Sequence, residues 1–237
     1  MRGRGFLLAC LLVGGCVHAG EVSRVPELAD DFRHGLSHWV VEAEAGSAAH
    51  VRVEDGVLDI DTPQGLSLWW RAPITGPVAI EFDVLAVKSG GPNDAVSDVN
   101  AFWMATDPSV ASGSPLDNPR SGAFATYDTL RMYYVGIGGN RNTTTRLRRY
   151  VGRLGDRPLR PENDRNDPAS LLVPNAWRHV RLVADGQGAA VDYAGARLFT
   201  LADASPYTRG WFALRTTKSH LKIRNFRIVP RDAPAQP

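Results

Sequence analysis

From position 21 onward the sequence carries no stretch of apolar residues at helical spacing. It offers short alternating runs cut by Gly, Pro, Asn and Asp. Alternation at a period of two puts apolar side chains on one face of an extended segment, and the turn residues mark where each segment ends. Such runs fall at 51–60, 66–71, 78–87, 99–105, 178–184, 189–193, 211–216 and 221–229, with a hairpin between the fourth and the fifth. The pattern predicts an all-β fold, a sandwich or jelly roll, rather than alternating strands and helices. Two stretches read as long loops, 107–122 and 155–167.

Both cysteines, Cys10 and Cys16, lie in the first twenty residues. An internal disulfide is therefore not expected downstream, and stability must come from a hydrophobic core. Residues 1–20 read as an export leader, with Arg2 and Arg4 as the basic region and residues 6–13 as the apolar one. The apolar run is too short and too glycine-interrupted for a spanning helix. Val17-His18-Ala19 offers a small-x-small cleavage site. Val13-Gly14-Gly15-Cys16 offers a lipobox, which would attach a lipid to Cys16 and tether the protein to a membrane. Either exit predicts an exported protein, periplasmic or extracellular. One sandwich domain is expected over 21–230, followed by a disordered Pro/Ala-rich tail at 231–237.

The whole chain is formally +2, and the leader's two arginines account for it: 25 basic residues then face 25 acidic ones. A neutral domain argues against general nucleic-acid binding, so any cationic character must be local. The local candidate is the hairpin LRMYYVGIGGNRNTTTRLRRYVG, residues 130–152. With residues 139–142 as the loop, Arg131 opposes Tyr150, Tyr133 opposes Arg148, and Val135 opposes Arg146. Those six side chains would share one face, with Met132, Tyr134, Thr145, Leu147 and Arg149 on the other. A face of guanidinium and phenol groups suits an anionic, hydroxyl-rich ligand, although a one-residue slip would mix the two faces.

Other residues carry a resemblance. Asp31-Phe32, Gly35-Leu36 and Trp39, then Asp55-Gly56-Val57-Leu58, resemble the opening of laminin-G/concanavalin A-like jelly rolls. Gly210-Trp211-Phe212-Ala213-Leu214-Arg215 and Ile223-Arg224-Asn225-Phe226-Arg227-Ile228 resemble their closing strands. The middle, with Asn93-Asp94, Phe102-Trp103-Met104-Ala105, Tyr133-Tyr134-Val135-Gly136 and Thr143-Thr144-Thr145-Arg146, resembles a bacterial secreted YesU-like family. That resemblance implies a concanavalin A-like β-sandwich and an association with rhamnogalacturonan utilisation.

On such a fold, β-elimination of an acidic polysaccharide needs a carboxylate clamp, a base and an acid. Arg146 and Arg148 are the expected clamp, Tyr133 and Tyr150 the expected base and acid, their phenols acidified by neighbouring guanidiniums. Arg131, Asn140, Asn142, Asp98, Asn100, Trp103 and His220 are the expected substrate-binding residues. Asp98 and Asn100 share one strand face, Trp103 lies on the other as a secondary candidate, and His220 is an alternative base. No cofactor is expected; a structural calcium held with Asp94 and Asp98 is the one option left open. A non-catalytic glycan-binding module is the runner-up reading. A glycoside hydrolase comes third, because Glu81 and Asp83 share a strand face but Ala86 stands where a third acidic residue would complete that pattern.

Overall fold

The computed structural model describes residues 28–46 and 48–232, so the expected leader, the lipid attachment and residues 233–237 of the expected tail fall outside the described residues. Fourteen strands run in chain order as β1 (Leu28–Asp30), β2 (Trp39–Ala43), β3 (His50–Glu54), β4 (Val57–Trp70), β5 (Ile74–Thr75), β6 (Val78–Ala86), β7 (Val99–Thr106), β8 (Arg131–Gly138), β9 (Thr144–Val151), β10 (Asp164–Arg165), β11 (Arg178–Ala184), β12 (Gly188–Tyr193), β13 (Ala196–Ala202) and β14 (Arg209–Pro230). The named strands pair antiparallel.

The long strand β14 organises the fold. Its first half pairs with β7 on one edge, Trp211 opposite Ala105 and Arg215 opposite Asn100. Its second half pairs with β6, Ile228 opposite Ile80. A register shift between Thr217 and Ser219, with Lys218 at a left-handed φ of 43°, marks the change. A bulge of this kind bends the strand and lets it serve two layers. One layer continues through β7, β8, β9 and β10, the other through β6, β11, β12 and β13. The two runs read as 211–216 and 221–229 are therefore one bent strand.

Alternation decides what lies between the layers. Trp103, Tyr133, Val135, Ile137 and Leu147 from the first layer pack with Ile80, Phe82, Val84, Leu182 and Val191 from the second. Aromatic edges close the same core, Trp39 meeting Phe226 at 4.9 Å between ring centres, 66° from parallel. Glu81 and Asp83 point away from it. Arg181 and Arg227 hold Glu81, and His179 and Asn225 hold Asp83. Those carboxylates brace the outer face of the second layer.

The outward face of the first layer has a smaller core of its own. Trp69, Phe102, Tyr127, Leu130, Met132, Tyr150 and Trp211 pack there. The loop between β7 and β8 is closed by the buried ion pair of Asp107 with Arg120, 2.7 Å. What the small core leaves uncovered is a cleft.

Candidate functional site

The hairpin folds as two antiparallel strands, but its register differs by one residue from the expectation. Tyr134 opposes Arg148, Gly136 opposes Arg146, and Met132 opposes Tyr150. The cause is the turn. Asn140, Arg141 and Asn142 are all left-handed, at φ 53°, 59° and 60°. Gly139 bridges Thr144, and the Gly138 N–H turns aside to the Thr145 hydroxyl at 3.1 Å. Between the Gly136–Arg146 pair and the Gly139–Thr144 bridge two residues of β8 face one of β9, and every β8 side chain changes face relative to the expected pairing.

Arg146, Arg148 and Tyr150 accordingly share a face with Met132, Tyr134 and Gly136. Arg131, Tyr133 and Val135 lie on the opposite side with Leu147 and Arg149. Tyr133 is fully buried in the interlayer core. Its hydroxyl donates to Asp203 at 2.8 Å, and Arg149 reaches the same carboxylate at 2.6 Å. Burial, then the bond to that carboxylate, holds the Tyr133 phenol above its ordinary value even against the amide N–H of Tyr207. Tyr133 therefore lies on the opposite side of the hairpin from Arg146 and Arg148, in the interlayer core. Tyr150 is on the right face but packed beneath it, and burial pushes its phenol up to about 12, outweighing Arg157 and Arg148. Acidified phenols are thus a corrected expectation: desolvation exceeds guanidinium attraction here.

Several other expected ligands are occupied elsewhere. Trp103 is fully buried and donates its indole N–H to the Val183 carbonyl at 3.2 Å across the core. Asn142 clamps Leu172 with a two-way pair, 2.9 Å and 2.8 Å. His220 sits between Asp94 at 3.0 Å and Asp59 at 2.9 Å. Arg131 is exposed at the start of β8, on the face away from Arg146. The oxygens of Asp94 take the Ser89 and Gly91 N–H groups and His220, away from Asp98. Among the described residues no group of three or more His, Cys, Asp or Glu side chains is placed to hold a metal ion.

Asp98, Asn100, Asn140, Arg146 and Arg148 do come together, lining a cleft of about 360 Å³. Residues not singled out from the sequence complete it: Glu44, Phe124, Tyr134, Arg157 and Arg215. The floor is a hydrogen-bonded pair, Tyr134 Oη donating to Asn100 Oδ1 at 2.9 Å. Gly136 beside it carries no side chain, and a Cβ there would lie 2.3 Å from Tyr134 Oη and 2.7 Å from Asn100 Oδ1. Phe124 stands between two guanidiniums, Arg157 4.6 Å and Arg215 4.5 Å from its ring centre.

The cations of the cleft differ in how they are engaged. Arg146 holds Asp164 through Nε and Nη2 at 2.9 Å and 3.1 Å. Arg157 holds Asp128 at 2.8 Å. Arg148 donates to the Arg157 carbonyl, not to a carboxylate. Asp98 takes the Ser97 hydroxyl at 2.5 Å. Burial raises its carboxyl above the usual carboxylate value, although bonds from Ser97 and Asn100 and the charge of Arg215 pull it down. Tyr134 is also raised by burial, so at neutral pH the floor presents a neutral phenol.

Arg215 had one sequence signal, its place on the run 211–216 whose other members are buried, whereas Glu44 lies just past β2 and had none. Their partners come from strands far apart in sequence, so spacing alone could not join them to the hairpin.

Known structures of similar fold include a Bacillus subtilis protein of unknown function with a galectin-like fold, at 14% identity over 88% of this chain and 97% of that one, TM-score 0.60. The CBM66 carbohydrate binding module from Bacillus subtilis aligns at 10% identity over 80% of this chain and 94% of that one, TM-score 0.52. The Emp47p carbohydrate recognition domain aligns at 16% identity over 90% of this chain and 99% of that one, TM-score 0.53. At these identities the likeness establishes the fold, a galectin-like and concanavalin A-like jelly roll. No curated protein matches the sequence. A family model spans residues 60–226, most of the described strands, and the chain belongs to that family, the domain of unknown function DUF6250.

Proposed function

We propose that the protein is an exported carbohydrate-binding protein whose cleft grips an acidic glycan, a rhamnogalacturonan-like chain being the class its resemblance to YesU-like proteins suggests. The observation that carries the reading is the cleft's composition: Arg146, Arg148, Arg157 and Arg215 surround a floor of Tyr134 and Asn100. Guanidinium groups suit carboxylates, while amide and phenol groups suit hydroxyls. Two of the similar folds are carbohydrate-binding domains by name, which agrees with a saccharide occupant.

A second reading, lysis by β-elimination, rests on Asp98. Asp98 lines the cleft with its carboxyl raised by burial, and Tyr134 beside it is a neutral donor. The base would take the proton alpha to the uronate carboxylate. That C–H electron pair would become the new double bond as the glycosidic oxygen departs and is protonated. Electrophoresis through gels containing polygalacturonate, rhamnogalacturonan or neutral galactan tests the first reading. The acidic polymers should retard the wild type, and Arg148→Ala should be retarded less. Migration unaffected by any polymer contradicts it. Ultraviolet absorbance of an unsaturated uronate in the same incubations, absent in Asp98→Asn, separates lysis from binding alone.

A further inference from the structure

We infer that Arg215 is the specificity-determining anion receptor of the cleft, built to take the carboxylate of a single uronic acid residue. This deepens the proposed function and rests on its reading of the cleft as a saccharide site.

Arg215 is only 4% exposed, yet it lines the cleft. Among the described residues no carboxylate lies within ion-pair distance of it. Arg120, whose side chain is also largely covered, is by contrast paired to Asp107 at 2.7 Å. The Nε of Arg215 is buried with no hydrogen-bond partner. Its Nη2 makes one long contact, 3.4 Å to the Gly122 carbonyl. Phe124 covers one face of the guanidinium. A buried charge without a counter-charge is costly, and an anion entering the cleft would supply the missing partner.

The chemistry of the surroundings selects the anion. A planar guanidinium whose Nη groups make only one long contact matches a planar carboxylate through two parallel hydrogen bonds. Tyr134 and Asn100 beside it offer polar atoms for the hydroxyls of the same sugar ring. The titratable groups nearest Arg215 are Asp98, Glu44, Tyr134 and Tyr127. Glu44 is occupied by the Gly65 N–H at 2.9 Å, and Tyr127 donates to Glu42 at 2.7 Å. Asp98 and Glu44 are the carboxyls of the cleft closest to the guanidinium, and neither forms an ion pair with it. Arg215 lies on β14 at the middle of the sheet, opposite Asn100 of β7 and Ser67 of β4. Its placement is therefore fixed by two ladders rather than by a loop.

The test compares binding of a de-esterified oligogalacturonate with binding of its methyl ester, by calorimetry, for the wild type, Arg215→Gln and Arg148→Ala. The wild type should prefer the acid by roughly tenfold or more. Arg215→Gln should bind the two forms alike while keeping its weaker affinity for the ester. Arg148→Ala should bind more weakly but retain a preference for the acid. If Arg215→Gln keeps the wild-type preference, the receptor is not Arg215, although the cleft remains a glycan site. If the wild type binds neither form, the reading of the cleft fails and this inference with it. Side-chain NMR on arginine-labelled wild type covers the case of a poorly folded variant. The Arg215 Nε–H resonance should move on adding the acid oligomer and stay in place with the ester; an unmoved resonance overturns the assignment.

Discussion

Arg146 and Asp164 form a two-point ion pair, Nε to Oδ1 at 2.9 Å and Nη2 to Oδ2 at 3.1 Å, at the rim of the cleft. The pair joins β9 to β10, whose register places these two residues opposite each other. An arginine already satisfied by a carboxylate is a weak receptor for another. Asp164→Asn should free the guanidinium and tighten binding of polygalacturonate severalfold, with little change in melting temperature, because partly exposed pairs contribute about 0–1 kcal/mol. Unchanged or weaker binding would show that Arg146 does not face the ligand. Titration of the purified variant against the polymer decides.

Gly136 is the residue that keeps the floor open. A methyl group there would press on both Tyr134 Oη and Asn100 Oδ1. Gly136→Ala should cost about 1–3 kcal/mol of stability through overpacking. It should also abolish polymer binding at temperatures where the variant is still folded. Chemical denaturation beside a binding assay measures both, and a variant with intact binding would place the ligand elsewhere.

The loop between β7 and β8 depends on Asp107. Although burial pushes its carboxyl upward, bonds from Ser109, Arg120 and Asn118 win and hold it down at about 2. A carboxyl lower in the folded than in the unfolded state stabilises the fold when ionised. That contribution is present above the ordinary aspartate value and disappears as pH falls through about 2. Asp107→Asn should cost about 3–5 kcal/mol, since it leaves Arg120 buried and unpaired. It should also flatten the acid limb of the stability–pH curve. Urea midpoints measured across that limb test the sign.

Tyr133 should matter for folding and not for ligand. Removing its hydroxyl leaves Asp203 short of one donor and the Tyr207 N–H short of its acceptor at 3.1 Å. Tyr133→Phe should lose about 1–3 kcal/mol of stability while binding polygalacturonate as the wild type does. A selective loss of binding with unchanged stability would return Tyr133 to the site.

Much of the fold was legible because alternation is a local property. The runs at 78–87, 99–105, 178–184 and 189–193 correspond closely to β6, β7, β11 and β12. β13 was missed, its charged and polar exposed positions hiding the pattern. The bend that makes one strand of 209–230 was invisible because Lys218 takes its left-handed conformation for tertiary reasons. The candidate site was half legible. Arg146 and Arg148 share a face under either register, since both lie on β9 two residues apart. Tyr134 in place of Tyr133 was lost to a single residue absorbed in the turn, where three consecutive side-chain-bearing residues adopt positive φ. Trp103 and His220 followed their residue types into a core and an ion-pair cluster. Arg215 could be recognised only once the fold showed it buried and unmatched.

The central claim is that the cleft holds an acidic saccharide through its guanidinium groups, and the salt dependence of binding tests it most directly. Calorimetric titration of wild-type protein with oligogalacturonate at increasing ionic strength should show affinity falling steadily, while neutral galactan oligomers bind weakly at every salt concentration. Affinity indifferent to salt, or equal for the neutral oligomer, would contradict the account.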